Sequence, residues 1–257
     1  MDKSCKRHSN KFVVESVALH MIGEKIIWTA ILPSTNDFLK ENWRTLSHGT
    51  AVVAEMQTNG RGRYNRNWLS PQGGLWFSIL FKPRKSLRPA FFTKVCSLSV
   101  IKALQALKVE ARIKWPNDIY INGKKLAGIL TESVFDENIP KAIITGIGIN
   151  VNNNIPQELS NKAISLYQIT GQIYDPKIIL KMILRQIDGM IRRYSKKPEI
   201  ATRLWKKYMI QKEGQVISFI KSNIIQSGKL LKILEESLLI EIDGKKIEIS
   251  SLEILDV

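Results

Sequence analysis

The chain has 257 residues, 44% hydrophobic and 24% charged, enough apolar material for one large domain with a core and a small appendage. Its longest apolar runs, such as Leu75–Phe81, are too short to span a bilayer, and the polar start Met1–His8 lacks the apolar stretch of a secretory signal. Two cysteines, Cys5 and Cys96, show neither metal-type spacing nor a disulfide framework, so a reducing cytoplasm is the default. The net charge of +16 is spread along a Lys-rich chain, with short clusters at Lys3–Lys11, Lys82–Arg88 and Arg192–Lys197. General basicity explains it first, an anionic small substrate second and nucleic acid third.

In chain order, residues 1–11 read as a loose polar tail. Phe12–Leu19 and Ile26–Leu32 read as strands or short elements, followed by a turn into a helix ending near Trp43. Ser34 is its expected N-cap, with Asp37 where a capping box places its acid. Thr50–Gln57 is a buried strand, Thr58–Pro71 a polar loop and Leu75–Phe81 another strand. Pro89–Leu107 has helical spacing, with Phe92, Val95, Cys96, Ser99, Val100, Ala103 and Leu107 inward. Ala111–Lys114 and Ile119–Ile121 are short strands, and the Asn122-Gly123 hairpin turn leads into Leu126–Thr131. Ala142–Asn150 is a buried strand, and Pro176–Tyr194 and Pro198–Tyr208 are helices. Beyond Tyr208 the pattern becomes β-type, with runs at Val216–Ile220, Leu230–Leu234, Ser237–Ile242 and Lys245–Ile249, and Asp243-Gly244 as a second hairpin turn. The expected organisation is the tail, an α+β body over 12–208 and a small all-β domain over 209–257.

The stretch Gly60-Arg61-Gly62-Arg63-Tyr64-Asn65-Arg66-Asn67-Trp68 carries most of the chemical information. Three arginines in six residues face solvent or an anion, and arginine matches carboxylate and phosphate oxygens bidentately. The two glycines allow close backbone approach. Alone, the segment reads about equally as an anion-binding loop or as one without that role, an RNA-binding arginine–glycine segment or a solvated loop.

It is accompanied by Lys114-Trp115-Pro116-Asn117-Asp118, by Lys125-Leu126-Ala127-Gly128-Ile129-Leu130-Thr131-Glu132 and by Gly146-Ile147-Gly148-Ile149-Asn150, with Ser34-Thr35-Asn36 and Gln57 upstream. In this order and spacing the set resembles the biotin–protein ligase family, over Ser34–Asn150. The resemblance implies an α+β fold, a mixed β-sheet backed by helices like that of class II aminoacyl-tRNA synthetases, with a C-terminal SH3-like β-barrel. It implies ATP and biotin as substrates, Mg²⁺ as the metal, and a biotin carboxyl carrier protein of acetyl-CoA carboxylase or another biotin-dependent carboxylase as partner. Biotinyl-5′-AMP would form first, and a carrier lysine would then attack it. The resemblance places Arg61, Arg63 and Lys125 at the reacting carboxylate and phosphate, with Gly62 in backbone contact.

It also places Ser34, Thr35, Asn36 and Gln57 at the biotin head, whose donors and acceptors they can match. Helix capping and turn formation are the alternative for these residues, and Ser34 can serve as a cap as well. Asn117 and Asp118 fall at the nucleotide, Asp118 also as a Mg²⁺ contact, although an Asx turn explains both residue types. Asn150 is expected to read adenine, or otherwise to open the following loop. Trp68 either stacks on adenine or anchors the loop. Many relatives have glycine where this chain has Asn65, a residue that also tolerates left-handed backbone. The basic loop is expected to act as a lid that orders on ligand binding.

A lipoate ligase or octanoyltransferase would share the general fold, but the full GRGR…W motif argues against it. A DNA-binding repressor needs an N-terminal helix-turn-helix domain, for which the thirty-three residues before Ser34 are too few, so no specific nucleic-acid partner is expected. No membrane association is expected. A homodimer is compatible with the sequence, which does not fix the oligomeric state.

Overall fold

A computed structural model describes residues 13–16, 22–82, 87–136, 139–221, 224–250 and 253–255. The tail over 1–11, the Lys3–Lys11 cluster, Cys5, most of Lys82–Arg88 and part of Phe12–Leu19 lie outside the described residues. Eight strands form the main sheet: β1 (Val13–Ser16), β2 (Lys25–Leu32), β3 (Ala51–Gln57), β4 (Leu75–Phe81), β5 (Arg112–Lys114), β6 (Asp118–Ile121), β7 (Lys124–Asp136) and β8 (Ile139–Ile149). Their order is β1-β2-β3-β4-β8-β7-β6-β5. The helices are α1 (Thr35–Asn42), α2 (Pro89–Ala106), α3 (Leu166–Thr170), α4 (Pro176–Tyr194) and α5 (Pro198–Tyr208). Only β2 and β3 pair in parallel among these strands, and α1 lies in the crossover that a parallel pair requires.

Strand alternation gives the sheet two different faces. Phe77, Ile79, Phe81, Ile147 and Ile149 join α2 in the larger apolar core. Leu80, Ala142 and Ile144 join Leu39 of α1 in a smaller one. Helix α1 is only eight residues long and covers part of that second face. Beyond it the strands carry Gly128, Gly146 and Gly148, and a cavity opens there.

The predicted inward residues of α2 are buried apart from Leu107, which is partly buried, but so are Phe91, Lys94, Leu98, Ile101 and Leu104 on its other sides. Helices α4 and α5 pack on the back of α2, so a one-sided expectation was too narrow. Lys94 is buried to 3% exposure, with its ammonium 2.9 Å from the Thr202 hydroxyl and above the Trp205 ring. Burial pushes its pKa down from 10.5 to about 8, partly opposed by Glu235 and Glu236.

A second, wholly antiparallel sheet follows α5: β9 (Val216–Lys221), β10 (Ile224–Ile233), β11 (Leu238–Ile242), β12 (Lys245–Ile249) and β13 (Glu253–Ile254). Its order is β12-β11-β10-β9-β13, and Phe219, Leu230 and Ile240 belong to the same large core as α2. Both hairpin signals sit in left-handed turns, with φ of 49° and 75° at Asn122-Gly123 and 48° and 75° at Asp243-Gly244. Among the described residues no helix is long and apolar enough to cross a membrane.

Candidate active site

The cavity has a volume of about 720 Å³, within the usual range for small-molecule sites. All twelve residues singled out from the sequence line it: Ser34, Thr35, Asn36, Gln57, Arg61, Gly62, Arg63, Trp68, Asn117, Asp118, Lys125 and Asn150. Its floor is the glycine-bearing part of β7 and β8. A Cβ on Gly146 would lie 2.3 Å from Asn36 Oδ1, and one on Gly148 would lie 2.6 Å from Trp68 Nε1. A Cβ on Gly128 would touch Lys125, Trp68 and Asp118 at 3.3–3.4 Å. The missing side chains therefore leave room for three consecutive features: a polar cluster at Asn36, the Trp68 indole, and the Lys125–Asp118 pair.

The polar cluster is assembled where α1 begins. Ser34 caps the helix by accepting from Asp37 N–H at 3.3 Å. The expected capping box is not closed, because the Asp37 carboxylate is engaged by Arg61 and lies near Lys40. Thr35 N–H donates to Gln57 Oε1 at 2.9 Å, and Gln57 Nε2 donates to Ser70 Oγ at 2.9 Å. The Thr35 hydroxyl meets Ser78 Oγ at 2.6 Å, and Ser78 meets Asn36 Oδ1 at 2.5 Å. Asn36 Nδ2 donates to Glu132 at 2.6 Å, and the other Glu132 oxygen takes Lys40. Ser78, Glu132 and Asp37 were not assigned to the site from the sequence. Glu132 ends the quoted KLAGILTE run, and Ser78 stands out as the one hydroxyl in the apolar strand LWFSILF.

The basic loop folds back on itself. Arg61 bridges to Asn67, Gly62 N–H donates to Arg66 O at 2.8 Å, and Trp68 N–H donates to Gly60 O at 2.9 Å. Tyr64 and Asn65 turn the chain in left-handed conformations, φ 57° and 55°, so asparagine supports this turn without a glycine at 65. Gly60 is the glycine with no room for a side chain, 2.5 Å from Trp68 O, whereas Gly62 has space. Arg63 stacks near Tyr64 and Trp115, with its guanidinium 4.9 Å and 5.9 Å from their ring centroids.

Trp68 anchors this loop on the glycine floor. Its ring meets Trp76 edge-on at 6.3 Å, and the Lys125 ammonium stands 4.9 Å from its centroid. The indole N–H is buried without a hydrogen-bond partner. Lys125 Nζ is 2.8 Å from Asp118 Oδ2. Asn117 follows the cis Trp115–Pro116 bond, and its Nδ2 donates to Ile129 O at 2.6 Å, pinning the turn to β7. Asn150 donates to Ile164 O and accepts from Asn153 Nδ2, so it fixes the loop after β8 while lining the cavity. Among the described residues no group of three His, Cys, Asp or Glu side chains gathers to hold a metal. Asp118, paired with Lys125, is the one carboxylate lining the cavity among the described residues, so a Mg²⁺ there would need its other ligands from phosphate oxygens and water.

Such a cavity joins a hydrogen-bonding cluster, an indole and three cations, Arg61, Arg63 and Lys125, as in a small-molecule site. The comparisons make this specific. The biotin/lipoate A/B protein ligase family matches residues 28–150. The structure resembles that of the Aquifex aeolicus biotin protein ligase in complex with biotin and ATP, with a TM-score of 0.78 and 34% identity, covering 90% of this chain and 99% of that one. The bifunctional ligase/repressor BirA of Bacillus subtilis is 38% identical over 181 residues, 68% of this chain. The chain spans about half of that relative, 56% of its length. A biotin–[acetyl-CoA-carboxylase] ligase of Paracoccus denitrificans is 34% identical over 54% of this chain and 61% of its own length. The chain belongs to the biotin/lipoate A/B protein ligase family, on its biotin–protein ligase side.

Proposed function

We propose that the chain activates biotin with ATP and transfers it to a lysine of a biotin carboxyl carrier protein, of acetyl-CoA carboxylase or another biotin-dependent carboxylase. The observation that carries this reading is the convergence of a polar head site, an indole and three cations, Arg61, Arg63 and Lys125, on one cavity. Thr35, Asn36 and Gln57 form the head site for the ureido ring, with Ser34 holding the helix start beneath them. Arg61, Arg63 and Lys125 neutralise the valerate carboxylate and the α-phosphate, two anions that would otherwise repel. Gly62 brings the loop backbone close to them.

In the first step a carboxylate oxygen attacks the α-phosphorus, and its bond to pyrophosphate breaks. In the second a carrier lysine amine attacks the acyl carbon, loses a proton and expels AMP. Rate enhancement in this reading comes from positioning and charge rather than a dedicated base. Trp68 and Asn150 border the adenine side, and Asn117 and Asp118 the phosphates. Mg²⁺ would arrive on the nucleotide, with Asp118 as its protein contact, and would supply charge neutralisation. The five-stranded C-terminal sheet over 209–257 is read as an SH3-like barrel closing the 12–208 catalytic domain. The Ile254 side of that sheet reaches the cavity rim. Incubating the purified chain with biotin, Mg·ATP and an apo carrier domain should add one biotinyl group to one carrier lysine by mass spectrometry. An unmodified carrier under these conditions would refute the transfer step.

A further inference from the structure

The three cations of the cavity are held in two different ways. Arg61 is paired with the Asp37 carboxylate, and Lys125 with that of Asp118 at 2.8 Å, so a ligand meets each of these charges already partly neutralised. Among the described residues Arg63 has no carboxylate partner. Aromatic groups frame its guanidinium instead. Nη2 donates to the Tyr64 hydroxyl at 2.8 Å, and the Tyr64 and Trp115 ring centroids lie 4.9 and 5.9 Å from Cζ. A phenol and two rings orient a guanidinium without cancelling its charge.

The two rings are not equivalent. Trp115 is a fixed wall, 5% exposed, with its backbone N–H donating to Gln211 Oε1 at 3.0 Å. Tyr64 lines the cavity but is 56% exposed, and its backbone is left-handed, φ 57° and ψ 32°. Arg66 N–H closes the turn on Arg63 O at 3.2 Å, with Tyr64 and Asn65 as its two central residues, both at positive φ. Such turns favour glycine, asparagine or aspartate at the centre. Asn65 obeys that preference, whereas a bulky ring at 64 strains the backbone, and so exposed a side chain gains little from burial. The turn does place that ring and its hydroxyl against Arg63.

We propose that Tyr64 is a positioning residue, which holds Arg63 at full charge beside Trp115, where the ligand's phosphate would pass. The proposal rests on the biotin–adenylate reading, in which Arg63 faces the reacting carboxylate and α-phosphate and Asn117 and Asp118, just after Trp115, border the phosphates.

Two ligands separate positioning from loop structure. One is biotin's alcohol, with the carboxyl reduced to CH₂OH, joined to AMP as a stable phosphodiester. The other is the alcohol alone, with the same head and no charge. Each is titrated calorimetrically into the full chain. Tyr64→Gly suits the left-handed turn better than tyrosine does, so it removes the side chain and keeps the turn. It should weaken the phosphodiester roughly tenfold, the combined worth of one cation–ring contact and one hydrogen bond, and leave the alcohol within about twofold. Tyr64→Phe keeps the ring, loses the hydroxyl and should weaken the phosphodiester about threefold. In an Arg63→Ala background, Tyr64→Gly should change neither ligand. Equal weakening of both ligands would make Tyr64 a structural part of the loop and overturn the proposal. A phosphodiester loss that persists without Arg63 would mean that Tyr64 acts on the ligand itself, and would overturn it too, as would no loss in Tyr64→Gly. If the wild type binds neither ligand, the biotin reading fails and this proposal with it.

Discussion

Gly146→Ala tests whether the glycine floor exists to seat Asn36. The added Cβ would stand 2.3 Å from Asn36 Oδ1 and 3.0 Å from its Cγ. Asn36 would have to retreat by about 1 Å to reach ordinary contact, which carries its bonds to Ser78 and Glu132 from 2.5 and 2.6 Å to the edge of hydrogen-bonding distance. One of these is a bond to a carboxylate, and together their loss costs about 2–4 kcal/mol. Asn36 is only 5% exposed, so water cannot readily replace them. The assay is urea unfolding together with biotin titration. Gly146→Ala should lose about 2 kcal/mol of stability or more and bind biotin at least tenfold more weakly. Gly189→Ala is the control: its Cβ meets nothing within 4 Å on the exposed face of helix α4, so it should gain about 0.8 kcal/mol and leave biotin binding alone. If Gly146→Ala unfolds and binds as wild type does, the floor is not a seat for Asn36.

Other expectations follow from the same geometry. Lys94→Met removes a buried charge, so urea unfolding at pH 7 should show about 1–3 kcal/mol of added stability. Because the folded pKa of Lys94, about 8, lies below its ordinary 10.5, the unfolded chain binds more protons between those values. Wild-type stability should therefore carry a rising contribution from pH 8 to 10.5 that the Met variant lacks, and equal slopes in the two proteins would contradict the burial argument. Biotin plus Mg·ATP should protect Gly60–Trp68 from limited proteolysis, and unchanged cleavage would remove the lid role. Asp37→Ala should release Arg61 from α1 and raise cleavage of the same loop without ligand, as read by the same digestion.

Much of this was legible in the sequence because local rules and tertiary packing agree. LWFSILF forms β4 over the expected residues, and the prolines at 176 and 198 start α4 and α5 where predicted. The family resemblance named the twelve candidate residues, and the sheet brings them to one cavity although they span Ser34 to Asn150. Other features depend on pairings that no window shows. Strands β7 and β8 extend to Asp136 and from Ile139 because they pair from Ala127–Ile149 out to Asp136–Ile139, past the apolar runs that marked them. Helix α3 is five residues, too short for a periodic signal, although its Ser165–Gln168 capping box could have marked it. The two-residue β13 is defined only by its partner β9. Glu132 reads as an ordinary strand-end acid until Asn36, nearly a hundred residues away, is placed against it.

Pyrophosphate exchange into ATP, with purified protein, Mg²⁺ and either biotin or lipoate, tests the central claim most directly. Exchange with biotin and not lipoate, abolished by Lys125→Ala or Arg63→Ala, is the predicted result. Exchange with lipoate, or with neither acid, would contradict it.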